Sequence, residues 1–434
     1  MSILSRRTLF AGAAALGVTA VAGCGSTAST GAAASAGPID AAKVKGTLSL
    51  AMWNADQQPT MRKILDAFTA KYPGATVEIQ ITPSNQYWTK LQTQASGKQL
   101  PDVFFMNGPN FQLYASEKQL MNLSDLFGTG GLDKASYPQS LTTLYSYKNE
   151  MYAIPRDFDT VGLWYNRRLF DLAGEKYPSD NITWDEFHQL AQRLSKKLGN
   201  GIYGAAIPFA GNQESYYNAI LQAGGNVISA DGKKSGYGDA AAIKAIEFYK
   251  SMVDDGSSPN VQQNTDTPAD ALFASGKAAM AWGGSWKAKN LSKSAEAANV
   301  AITNLPTGAK QACVIHGLGY AVAANTKSPD AARALAAFLG SQEAATMLGG
   351  EGVVMPAYAG TAQKWVDANP TMDLAKALKA ATTYALPYPV SRRTAAWQAL
   401  EAEQINAALT GAKPVATAMK DLAAAMDQKL AAEG

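Results

Sequence analysis

The sequence predicts an α/β fold, and three observations carry that expectation. Segments of two-residue apolar alternation and segments of helical periodicity succeed one another in strand–helix order. One apolar run, "PDVFFM" at Pro101 to Met106, is continuous, as in strands buried on both faces of a parallel sheet. At 434 residues the chain is too long for one core and long enough for two lobes.

The elements follow in order. "GTLSLAMWN" alternates Leu48, Leu50 and Met52 and reads as a strand. Thr60 is expected to cap a helix whose apolar positions are Met61, Ile64, Leu65 and Phe68, stopped by "YPG" at Tyr72 to Gly74. Val77, Ile79 and Ile81 alternate again, a polar helix follows, and "PDVFFM" is the third strand. This order implies a parallel sheet with right-handed crossovers. Val161 to Tyr165 is a further strand. Thr183 and Glu186 form a capping box for a helix carrying Phe187, Leu190, Ala191 and Leu194, ended by Gly199. Asp239 caps a helix through Ile243, Ile246 and Val253 that stops near Gly256. Gly319 to Asn325 reads as a strand, and Ser328-Pro329 opens a helix bearing Ala331, Ala334, Leu335, Phe338 and Leu339. From Trp397 the chain is Ala-rich and helical. There is no internal repeat.

The N-terminus has its own logic. Arg6 and Arg7 precede an apolar, small-residue segment that is too short and glycine-broken to span a bilayer, so residues 1–23 are expected to be a secretion signal. It ends Val21-Ala22-Gly23-Cys24, which resembles the bacterial lipobox, where the cysteine thiol is acylated. Each buried methylene contributes about 0.8 kcal/mol, so two chains hold a protein stably on a membrane. Cys24 is therefore the expected lipidation site and residues 24–45 the flexible tether. "SRRTLF" resembles a twin-arginine export motif without its usual Phe-Leu order, leaving export by the Sec or twin-arginine route. Cys313 then has no partner for a disulfide. One cysteine and two histidines cannot build a thiolate metal site, and neither metal nor cofactor is expected.

Composition excludes other classes. Apolar residues at 47% are at globular levels, and no later run approaches a membrane span. Formal charge is +3, of which Arg6 and Arg7 supply two, and no Lys/Arg stripe forms. A nucleic-acid role thus lacks its electrostatic footprint. Many Trp and Tyr instead sit beside Gly, Asn or Asp, outside periodic apolar patterns.

The ordered set "LSLAMWN", "FTAKYPGATVEIQ", "PDVFFM", "YAIPRDFDTVGLWYNRRLF", "TWDEFHQLAQRL", "FASGKAAMAWGGSWKA" and "GLGYAVAANTKSPDAARALAAFL" resembles the extracellular solute-binding proteins of ABC importers, in the maltose and oligosaccharide branch. The resemblance runs from Cys24 nearly to the C-terminus. It implies a periplasmic-binding-protein-like fold of two lobes, a hinge crossed more than once, and a ligand cleft between the lobes. Crossings are expected near Asp157, Gly317 and Pro356. Lobe 1 would hold residues 46–157 and 318–356, and lobe 2 residues 158–317 and 357–434. A carbohydrate ligand, an ABC permease partner, a monomer and an anchored extracytoplasmic location follow from the resemblance.

A sugar offers weakly positive C–H faces that stack on aromatic rings, and vicinal hydroxyls that carboxylate, amide and guanidinium groups read two at a time. Such residues belong just past the carboxyl ends of the strands. Trp53, Asn54 and Asp56 follow the first strand directly, although Asp56 also suits a helix cap. Asn107 and Asn110 follow the third strand, where they equally suit a Gly-Pro turn. Arg156, Asp157 and Asp159 lie between two strand-like segments; the resemblance places a sugar-binding carboxylate at Asp159, and a local Arg–Asp pair is the alternative. The resemblance also puts an acid and aromatics at Glu214, Tyr216 and Tyr217. Gly283 and Gly284 let a ligand approach the backbone, beside Trp282 and Trp286. Lys287, Ala288 and Lys289 stand where a second aromatic is expected, so one maltodextrin-type subsite is not implied. His316 at a crossing is a candidate donor, Trp397 a candidate stacking ring, and Arg392, with Arg393 as its alternative, a candidate cleft cation.

Two other functions compete. Arg156, Arg392 and Arg393 leave room for a glycerol-phosphate diester or another polar solute. A glycosidase would need paired carboxylates, and Asp157 and Asp159 are expected on opposite sides of their extended segment. No Gly-x-Ser-x-Gly elbow, HExxH or phosphate-cradling loop occurs, so an enzyme is not expected.

Overall fold

A computed structural model describes residues 38–128, 131–209 and 212–433. The expected signal at 1–23, Cys24 and most of the tether lie outside the described residues. The last tether residues are folded, not flexible: Asp40 caps a 3-10 turn at Ala41–Lys43, and Val44 is buried in the first core.

The first sheet is built as the alternation dictates. Strand β1 (Gly46–Met52) pairs in parallel with β2 (Ala75–Ile81) and with β3 (Val103–Met106). All four residues of β3 are fully buried, as its continuous apolar run requires. Helix α1 (Gln58–Lys71) buries Met61, Ile64, Leu65 and Phe68. It starts two residues earlier than Thr60 because Pro59 fits the first turn, where a missing N–H costs nothing; Thr60 is a buried interior residue. Helix α2 (Ser84–Ser96) crosses to β3, and α3 (Gly108–Ser116) follows it.

The chain then leaves this sheet. Strand β4 (Ala153–Pro155) belongs to the first sheet, and β5 (Asp157–Asn166) begins one residue later in the second. Helix α4 (Trp184–Leu198) carries the Thr183/Glu186 capping box. The second sheet continues through β6 (Tyr203–Ala206), β7 (Ala278–Gly284), β8 (Val300–Thr303) and β9 (Cys313–His316). Strand β10 (Gly319–Val322) returns to the first sheet, between β3 and β4. The helix Pro329–Gly340 follows, and Met355–Pro356 pairs with Phe158 and Asp157 on the way back. The Ala-rich C-terminus is divided into helices Thr394–Gln398, Glu401–Leu409 and Val415–Ala431.

The passages between sheets are tied to one another. The Arg156 amide donates to the Leu318 carbonyl at 2.8 Å, the Leu318 amide to Asp157 Oδ1 at 2.7 Å, and the Ala357 amide to the Arg156 carbonyl at 3.0 Å. Gly317 is required here: a Cβ would overlap the Asp157 carbonyl, a backbone atom that cannot step aside. Two apolar clusters form, one around Leu50, Phe104 and Leu335 that also takes in Trp164 and Ile302 of the second sheet, the other around Phe187, Ile220 and Trp397. The molecule is a two-lobed α/β fold. Among the described residues, no helix is long and apolar enough to cross a membrane.

Candidate functional site

Strand ends from both sheets converge on one cavity of about 390 Å³. Trp53 and Asn54 come from the end of β1, Asn107 from the end of β3, and Arg156, Asp157 and Asp159 from the crossing into β5. Ser285 and Trp286 follow β7, and His316 ends β9. Asp159 and His316 are direct partners in the β5–β9 ladder, which fixes their spacing without any loop.

The charges are arranged in pairs with one exception. Arg156 is buried, joined to the Asp157 carboxylate, and donates to Gln57 Oε1 at 2.5 Å. Its guanidinium lies 4.6 Å from the Phe105 ring centre, while its buried Nε has no hydrogen-bond partner among the described residues. Burial raises the Asp157 carboxyl above its usual range, against the opposing pull of Arg156 and the Leu318 amide. Lys287 is held by Glu214 at 3.1 Å and Asp270 at 3.2 Å; burial pulls its ammonium down, and the two carboxylates outweigh it and raise it. Among the described residues, Asp159 has no cationic partner and accepts only from Gln213 Nε2, at 2.7 Å. Burial, then the neighbouring charges of Asp157 and Glu214, push its carboxyl well above the ordinary value. Burial pulls His316 down to about 3, so the ring is neutral and its Nε2 accepts from the Gly108 amide at 3.1 Å. It is an acceptor here rather than the expected donor at that nitrogen.

The tryptophans divide. Trp286 is half-buried and lines the cavity; its ring occupies the space a side chain on Gly284 would need. Gly284 therefore makes room for an indole, not for a ligand. The Gly284 amide is held by Glu214 Oε1 at 3.0 Å, so Glu214 braces the turn from behind without lining the cavity.

Several expected site residues lie elsewhere. Asp56 is exposed, in a 3-10 turn leading into α1. Trp282 is buried in the second core because β7 is covered on both faces. Trp397 is also fully buried, its Nε1 donating to Ser391 Oγ at 2.9 Å. Tyr216 and Tyr217 turn inward and donate to the buried Glu401 carboxylate at 2.7 and 2.8 Å, joined by Tyr237 at 2.6 Å and Asn212 at 3.0 Å. Arg392 lines a separate groove with Asp231 and Glu433. Arg393 lines a different chamber, with Trp88 and Tyr114. Asp157 and Asp159 line the same cavity instead of opposite sides, since residues two apart in a strand share a face.

The remaining contributors escaped the sequence reading. Gln57, Ser84, Gln213, Asp270, Ser285, Lys287 and Asn290 also line the cavity. A second cavity of about 470 Å³ shares Asn107, Gln213 and His316 with the first and adds Trp88, Asn110, Tyr388 and Gln398. The signal for Trp88 was present: Tyr87 and Leu91 form the buried stripe of α2, which leaves the adjacent ring at the stripe's edge.

Two sheets joined by bonded crossings, with a polar, aromatic cavity at their strand ends, define a binding protein of the two-lobed α/β class. The residue pattern of the bacterial extracellular solute-binding protein family matches residues 54–346, and the chain belongs to that family. A binding protein of Brucella abortus is 27% identical over 248 residues, 56% of this chain and 58% of that one. The diacetylchitobiose-binding protein of Streptomyces coelicolor is 28% identical over 290 residues, 64% of each chain. The chain thus spans about three-fifths of the length of these curated relatives. In fold it resembles the ABC substrate-binding protein of Listeria monocytogenes solved with cycloalternan, at a TM-score of 0.83 and 22% identity over 89% of this chain and 99% of that one.

Proposed function

We propose that this protein captures a carbohydrate in the interlobe cleft and delivers it to the permease of an ABC importer. The observation that carries the reading is the cavity lined by Trp53 and Trp286, from different sheets, together with Asp159, Asn107 and Arg156. Flat rings suit the C–H faces of a sugar, and the forked polar groups suit its hydroxyls. The relatives' diacetylchitobiose and cycloalternan ligands support the same chemistry. Trp53, Asn54, Asn107, Arg156, Asp159, Trp286 and His316 are the proposed contacts. Ligand bridging both lobes would stabilise the closed arrangement over the open one. We assign the chain to the extracytoplasmic face of the membrane as a monomer, held by lipid on Cys24 and released from a signal at 1–23, with lobe boundaries at the three bonded crossings.

The phosphodiester reading is weaker. Both cations lining the cavity are paired, and Asp157, Asp159 and Asp270 outnumber Arg156 and Lys287 there. An anion would meet net negative charge. A hydrolytic role is also disfavoured: the Asp157 carboxylate is engaged by Arg156 and the Leu318 amide, leaving Asp159 without a second free carboxyl partner. The test is thermal unfolding against a panel of sugars, polyols and glycerol phosphodiesters. A rise in Tm with a saccharide and none with phosphodiesters supports the proposal; the reverse pattern, or turnover of a bound saccharide, overturns it.

A further inference from the structure

We propose that the ligand is an amino sugar, a saccharide bearing a free ammonium group, and that Asp159 is the carboxylate that receives the ammonium. This rests on the carbohydrate reading above and gives the sugar a charge. The charges around the cavity do not cancel. Arg156 is joined to Asp157, and Lys287 is shared between Glu214 and Asp270, so both cations lining the cavity are already engaged. His316, the ladder partner of Asp159, is neutral and supplies no positive charge. Four carboxyl groups, those of Asp157, Asp159, Glu214 and Asp270, thus stand against two cations.

Asp159 is where the excess falls. It lines the cavity, is only partly buried, and among the described residues accepts one hydrogen bond, from the uncharged Gln213 amide. The nearby Tyr145 phenol does not serve it, because that hydroxyl is turned to the Met106 and Gly317 carbonyls. An enclosed carboxylate with one neutral donor is costly to keep ionised. Burial and the charges of Asp157 and Glu214 all act against the ionised form, and a cation seated beside it would offset all three. A sugar hydroxyl could give Asp159 a hydrogen bond; an ammonium gives the bond and the missing opposite charge together. The rings suit the same guest. Trp53 and Trp286 line the cavity and keep part of their surface uncovered, and an indole face attracts a cation as well as the C–H face of a sugar.

The test is calorimetric titration of the full chain at neutral pH with three series that share a backbone and differ at one substituent. These are glucose and its cello-oligosaccharides with a hydroxyl, glucosamine and chitosan oligomers with an amine, and N-acetylglucosamine and chito-oligosaccharides with an acetamide. Galactosamine and mannosamine, each with its hydroxyl parent and its acetamide, complete the panel. The amine is expected to bind about tenfold tighter than either neutral counterpart of the same length. In Asp159→Asn that preference should fall to about twofold or less. The wild-type ranking decides the charge of the ligand, and the variant decides the residue that reads it. A neutral member that binds as tightly as its amine, or a preference unchanged in Asp159→Asn, would overturn the amino sugar while leaving the carbohydrate reading intact. Binding by no member of the panel would overturn both.

Discussion

The indole of Trp286 lies directly over Gly284, in the space where a Cβ would have to be. The turn after β7 therefore aims the ring, and Glu214 fixes the turn by accepting from the Gly284 amide at 3.0 Å. Gly284→Ala should displace the indole and cost about 1–3 kcal/mol of stability through overpacking. Its saccharide affinity should match that of Trp286→Ala, checked by titrating the two variants side by side. Wild-type affinity in Gly284→Ala would show that the ring's placement is irrelevant.

Asp159 is held against its own electrostatics. Its carboxyl is raised well above the usual range, first by burial and then by Asp157 and Glu214. A raised folded value means the contribution to stability is fully present below the unfolded value of 3.8 and is lost as pH rises through the folded one. Asp159→Asn should therefore raise the Tm of the unliganded protein at pH 7 by about 1–2 °C. The gain should disappear below pH 4, and saccharide affinity should fall at the same time. Scanning calorimetry from pH 3 to 8 checks the sign.

Glu401 anchors the second lobe's polar core. Its carboxylate, raised by burial, accepts from Tyr237, Asn212, Tyr216 and Tyr217. Glu401→Ala would remove the acceptor of three buried phenol hydroxyls, a loss of about 3–5 kcal/mol in urea unfolding. Glu401→Gln should recover part of it, because its carbonyl still accepts.

His316 carries the opposite sign to the acids. Its ring, lowered to about 3 by burial, stays neutral while the unfolded chain takes a proton near 6.5. Stability contributed at neutral pH is thus lost as pH falls below 6.5, and His316→Gln should flatten that slope. Ligand affinity measured from pH 5 to 8 should show no histidine inflection.

Strand ends were the most legible feature of the sequence. Trp53, Asn107 and Trp286 each follow an apolar run whose direction is fixed by parallel pairing or by the β5–β7 ladder, and all three reach the cavity. Residues placed by helices were harder. Tyr216, Tyr217 and Trp397 have the composition of a binding surface, and their burial depends on Glu401 and on helices far along the chain. Gln57 and Gln213 were missed because a glutamine's reach into a cavity depends on its partners, here Arg156 and Asp159, and leaves no periodic trace.

The most direct measurement is a crystal structure of the full chain with the saccharide that gives the largest thermal shift. The expected density lies between Trp53 and Trp286, with hydroxyls on the Asp159 carboxylate. Density confined to the separate groove of Asp231 and Arg392, or stacked on neither tryptophan, would contradict a site formed where the two sheets meet.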